Sequence, residues 1–162
     1  MTMSTDWSEW WHGIFGRDSD HANQTLEILR QRYVDVVQRA TLLKQHAEKM
    51  QYPQFRDRLL RIAMEKSKHA GWIAEKIVAL GGKLPEVQER LATGENSWQR
   101  LRADLDEEDR TAGRLVQQLW SIESEHPDVD ELLRRIHEEE KKQRAEIVGM
   151  LMRSDPFAAS LA

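Results

Sequence analysis

Residues 59–73 read Leu59-Leu60-Arg61-Ile62-Ala63-Met64-Glu65-Lys66-Ser67-Lys68-His69-Ala70-Gly71-Trp72-Ile73. Leu59, Ile62, Lys66, His69 with Ala70, and Ile73 recur at spacings of three and four, and Ile77 and Leu80 extend the row. That period belongs to one face of an α-helix. Pro53 suits its first turn, and Gly81-Gly82 supplies the stop. The row is apolar except at Lys66 and His69, near its middle. An apolar helix face with a polar centre is the feature from which both fold and site are read.

Three other segments carry the same period. Upstream, Leu26, Leu29, Tyr33, Val36, Ala40, Leu43, Ala47 and Met50 form an unbroken stripe, with Asp18, Ser19 and Asp20 as candidate caps. Downstream, Trp98, Leu101, Leu105, Glu108, Ala112, Leu115 and Leu119 form a third, with Ser97 as the expected cap. After the break at His126-Pro127, Asp128 is the expected cap of a fourth, which runs through Leu132-Leu133, Ile136, Glu140, Gln143, Ile147 and Met150-Leu151.

The connections predict an all-α, four-helix bundle. Short turns near residues 51–53 and 125–128 make two antiparallel hairpins. The segment from Gly81 to Asn96 is long enough to run the length of a helix of roughly 40 Å, so a crossover joins the hairpins. An internal repeat agrees: a shift of 74 residues sets Leu59 on Leu133, Ile62 on Ile136, Glu65 on Glu139, and Ile73 on Ile147. The expected organisation is an aromatic segment at 1–19, the bundle at 20–153 and a flexible tail at 154–162.

Composition bounds the rest. At 162 residues, 40% hydrophobic and 32% charged, the chain suits one domain of amphipathic helices. A net charge of −4 argues against nucleic acid as partner. Without cysteine there is no disulfide, thiolate metal site or cysteine nucleophile. No apolar run of about 18 residues spans a membrane and no signal peptide is evident, so a cytoplasmic location is expected.

Each stripe is interrupted near mid-helix by polar residues: Tyr33, then Lys66 and His69, then Glu108, then Glu140 and Gln143. Spacings of three put each pair on one face. The interruptions predict a central polar belt, because isolated buried charges are costly. A bland alternative leaves Glu108 and Glu140 at exposed helix edges, and makes His69 a satisfied core histidine.

Met64 to Trp72 and Glu138-Glu139-Glu140-Lys141-Lys142-Gln143 resemble the ferritin-like and rubrerythrin-like di-iron carboxylate proteins, over roughly residues 22–152. That resemblance implies a ferritin-like fold and a belt with one Glu from each of two helices and Glu-x-x-His from the other two. Carried over by position, the first Glu falls near Tyr33, the second on Lys66 beside a kept His69, and the third on Glu108, with Glu107 as the adjacent alternative. The fourth is kept as Glu140, and its His has become Gln143. An ammonium is a donor-only cation, so the favoured reading sets Lys66 in place of the ions, in a degenerate di-iron site. The competing reading is a reduced metal site of His69, Glu108, Glu140 and Glu65 that binds iron, zinc or manganese.

Two features lie outside the belt. Trp7, Trp10, Trp11 and Phe15 crowd one short segment, which Asp6 and Glu9 would cap and Gly13 or Gly16 would end. They predict a short helix whose rings pack on the bundle or in a homodimer contact. The tail resembles, loosely, peptides that load ferritin-like proteins into protein shells. The expected function is a non-catalytic scaffold or interaction protein; the alternative is a metal-binding protein or oxidoreductase.

Overall fold

A computed structural model describes the backbone of residues 7–122 and 126–158, and the side chains of 23–122 and 126–158. Four helices follow in order: α1 (Trp7–Glu48), α2 (Pro53–Ala79), α3 (Ser97–Ile122) and α4 (Pro127–Leu151). The described residues contain no strand. None of these helices is long and apolar enough to cross a membrane.

The ends of the helices show why the chain breaks where it does. Pro53 opens α2, where its missing N–H costs nothing. At the other end Gly81 takes a φ of +77°, and the Gly82 and Gly81 N–H groups donate to the Ile77 and Val78 carbonyls at 2.9 Å each. This is the left-handed closure that glycine allows at least cost. Two expected caps lie elsewhere: α3 is capped one residue earlier than Ser97, and the N-cap position of α4 is His126, two residues before Asp128. Asn96, not Ser97, caps α3 through its Oδ1, which accepts from the Gln99 N–H at 2.9 Å. Ser97 Oγ instead accepts from the Gln51 N–H and ties the two hairpins together. Asp128 lies inside the first turn of α4 and pairs with Lys76 at 2.6 Å, which joins α4 to the end of α2.

α1 packs against α2 and α3 against α4, with α1 beside α3 and α2 beside α4. The crossover from residue 80 to 96 has no helix of its own and runs down the outside of α1. Gln38 Nε2 donates to the Gln88 carbonyl, and Gln45 both accepts from the Ala92 N–H and donates to Glu89. Gln38 and Gln45 are seven residues apart, so one polar face of α1 holds the segment along its length.

Inside, the apolar stripes meet as two clusters. The first contains Leu29, Val36, Ile73, Ile77, Leu115, Leu119, Leu133 and Ile136, and the second Leu43, Phe55, Leu59, Ile62, Leu101, Leu105, Ile147 and Met150. Each fully buried Leu or Ile contributes about 1.5–3 kcal/mol of burial, so these clusters hold the bundle together. Between them lies a polar layer.

Two expectations about the ends change. The aromatic segment is not a separate helix: α1 is continuous over 42 residues, through Gly13, Gly16 and the proposed boundary at 19/20. Glycine inside a helix costs only about 1 kcal/mol, and neither site is followed by proline. Gly82 at the end of α2 lies against Leu26, where any side chain would collide. Residues 7–25 of α1 therefore run on past that level by about 28 Å. The side chains of Trp7, Trp10, Trp11 and Phe15 lie outside the described residues. At the other end, residues 154–158 are held rather than loose. Asn96 Nδ2 donates to the Pro156 and Ala158 carbonyls, and the Asp155 N–H donates to the Tyr52 hydroxyl. Residues 159–162 lie outside the description.

Candidate functional site

The polar layer centres on Lys66. Its Nζ lies 3.0 Å from Glu108 of α3 and 3.1 Å from Glu140 of α4, and its side chain is 1% exposed. Each carboxylate holds a second cation from α1. Arg32 pairs with Glu140, and Arg39 pairs with Glu108 at 3.1 Å. Arg39 also reaches Asp104 at 3.1 Å, and Asp104 meets His46 at 2.9 Å. The result is one buried chain, His46–Asp104–Arg39–Glu108–Lys66–Glu140–Arg32, drawn from all four helices. Setting His46 aside, three cations (Arg32, Arg39, Lys66) face three carboxylates (Asp104, Glu108, Glu140).

Not every expected member joins this chain. His69 Nε2 meets Glu139 at 2.7 Å, and its ring lies beside Trp72, with centroids 5.4 Å apart. Gln143 donates to Glu65 at 2.9 Å, and Glu65 also takes Arg61 at 2.7 Å. These pairs stitch the α2–α4 seam on one flank of Lys66. Both His69 and Gln143 are buried, as expected. Glu65 and His69, proposed as metal ligands beside Glu108 and Glu140, thus have seam partners of their own. Tyr33 is only partly buried and packs against the first apolar cluster. Its neighbour Arg32 takes the inward place. Glu107 turns to the surface, where it binds Arg90 and Arg110, so Glu108 is the inward residue of that pair.

The sequence reading missed Arg32, Arg39, His46 and Asp104. All four are adjacent to the apolar stripes rather than on them, since Arg32 precedes Tyr33, Arg39 precedes Ala40, and Asp104 precedes Leu105. A signal was present in the spacing of seven between Arg32, Arg39 and His46, which repeats a position beside the helix seam.

No protein-family model matches the chain, and no curated protein matches it in sequence. Solved structures match in fold. The Dps92 protein of Deinococcus radiodurans superposes with a TM-score of 0.74 at 14% identity, over 87% of this chain and 93% of that one. A bacterioferritin of Desulfovibrio desulfuricans superposes with a TM-score of 0.72 at 25% identity, over 82% of this chain and 81% of that one. The chain is a ferritin-like four-helix bundle. The bacterioferritin is described with a diiron site in different catalytic states, which is a property of that protein.

In this ferritin-like chain the electrostatics of the layer follow from its pairing. Burial pushes the Glu140 carboxyl up, but Lys66 and Arg32 outweigh it and hold the group down at about 2. Burial likewise works against the Arg39 charge, yet Asp104 and Glu108 raise its pKa above the ordinary value. Both groups thus stay charged around neutral pH, and each charge has a partner within the bundle. On the seam, the hydrogen bond from His69 holds the Glu139 carboxyl below its ordinary range. Such a layer is a poor source of net stability but a strong determinant of register, because any slip leaves a charge unpaired.

Proposed function

We propose that this ferritin-like chain is a non-catalytic scaffold or interaction protein in which buried cations take the place of a metal at the bundle centre. The observation that carries the reading is Lys66 Nζ at 3.0 and 3.1 Å from Glu108 and Glu140. Two iron ions need several carboxylates with free lone pairs. Here both central carboxylates already bind two cations each, and three positive side chains occupy the layer. Among the described residues no three His, Asp or Glu side chains form a group able to hold a metal ion. With its carboxylates already paired in this way, the layer on this reading does not fit a di-iron centre. Self-association is the mode of action we favour. The run of α1 beyond the bundle carries four large aromatics in sequence, a density seldom left bare to water.

Metal analysis of the full chain tests this. Protein purified from iron-, zinc- and manganese-supplemented medium should carry far less than one ion per chain, and the double variant Lys66→Glu, Gln143→His should gain little while Arg32 and Arg39 remain. Stoichiometric metal in the natural chain, lost on Glu140→Gln, would overturn the reading in favour of a metal-binding protein or oxidoreductase.

A further inference from the structure

Between α3 and α4 a groove of about 570 Å³ opens to solvent, lined by Val116, Leu119 and Trp120 from α3 and by Arg134, His137 and Lys141 from α4. Trp120 is 82% exposed and Val116 43%, so an indole ring and an aliphatic side chain one helical turn apart both stand in water. A single exposed apolar residue needs no explanation, but an indole and an aliphatic group lining one concave surface suit a docking site.

The chain's own ends do not reach this groove. α3 runs antiparallel to α1, as the pairs Arg39–Asp104 and Arg114–Asp35 establish. At 1.5 Å per residue from the Arg114–Asp35 pair, Trp120 lies about 9 Å toward the end of α3, and Phe15 of α1 lies roughly 20 Å farther out in the same direction. The groove runs the other way, from Trp120 toward Val116 and Lys141, so the aromatic segment of α1 points away from it. At the opposite end of α3, Asn96 holds Ala158. That is about 36 Å from Trp120, and residues 159–162 span at most about 14 Å.

The same segment from another copy fits. Trp7, Trp10, Trp11, Ile14 and Phe15 recur at spacings of three and four along the continuous α1 and so share one face of it. Large aromatic side chains bury about 150–250 Å² each, so two such segments, exchanged between two chains, cover roughly 1,200–2,000 Å², the size of a stable interface. Charge does not oppose the contact: the groove lining carries Arg134 and Lys141 against Glu138, whereas residues 6–15 carry Asp6 and Glu9 and no Lys or Arg. We infer that the α3–α4 groove receives the aromatic face of α1 from a second copy of this chain, in a reciprocal two-fold exchange. The inference rests on the self-association proposed above and gives it a receiving surface, with Trp120 as the central contact.

The test measures dimer dissociation of the full chain by sedimentation equilibrium. Trp120→Ser, in the groove, and the double variant Trp10→Ser, Trp11→Ser, in the segment, should each weaken the dimer at least tenfold with helical circular dichroism unchanged. Val116→Asp is a second groove variant and should behave as Trp120→Ser does. An equal mixture of Trp120→Ser with the double variant should associate at least fivefold more tightly than either alone, because the mixed pair keeps one intact segment in one intact groove. A symmetric contact of Trp120 on Trp120 gives no such gain, and its absence would overturn the inference. Full association of both groove variants would also overturn it while leaving self-association through the aromatics standing. A natural chain that stays monomeric at every concentration would remove both.

Discussion

Replacing Lys66 by Met keeps the volume of the side chain and deletes its charge at the one point where two buried carboxylates converge. In the natural layer three cations balance three carboxylates; in the variant, two cations face three. Removing one partner of a buried pair costs about 3–5 kcal/mol. Here each carboxylate keeps a second partner, Arg32 on Glu140 and Arg39 on Glu108, so the cost belongs at the lower end. The Glu140 carboxyl gives a second route to the figure: its displacement from 4.5 to about 2 corresponds to roughly 3 kcal/mol at neutral pH, of which Lys66 is the largest favourable source. With a slope of about 2 kcal/mol per molar urea, the unfolding midpoint should fall by about 1.5 M.

The pH dependence separates this mechanism from a simple packing defect. A carboxyl with a depressed pKa stabilises the fold above its unfolded value of 4.5, and that contribution disappears as pH falls toward 2. In Lys66→Met, burial is opposed by less positive charge, so the carboxyl rises and protonation restores the charge balance. The gap between the natural chain and the variant should therefore narrow by about a fifth at pH 4, and more steeply below it. Urea titrations followed by helical circular dichroism at pH 7 and pH 4 measure both quantities. Equal midpoints at pH 7, or a gap that stays constant between the two pH values, would refute the reasoning.

Two further outcomes follow from the ends of the helices. Gly81→Ala forces a side chain into the φ of +77° that closes α2, and should cost about 1 kcal/mol, seen as a melting temperature lower by about 2–4 °C, with Gly81→Asn milder. Replacing Trp10 and Trp11 together by Ser should lower the assembly mass read by light scattering; an unchanged mass would remove self-association from the proposed function.

What was legible in the sequence was periodicity. Spacings of three and four, the glycine pair at 81–82, Pro53 and the long crossover specify four amphipathic helices and their order, because burial of one stripe per helix admits few arrangements. The polar residues on those stripes, Lys66, Glu108 and Glu140, had to meet, since all project into the same layer. Arg32, Arg39, His46 and Asp104 escaped notice because residues beside a stripe can turn inward or outward with equal local cost. Only the packed bundle decides: the rotation of α1 brings Arg32 rather than Tyr33 to Glu140 and sets Arg39 between Asp104 and Glu108. The helix caps behaved similarly, as Asn96 took the place of Ser97 once Ser97 was drawn to Gln51 of the other hairpin. Local sequence determines where helices form and which face is apolar. Tertiary structure determines which long polar side chains share the interior, because their charges are satisfied only by partners from other helices.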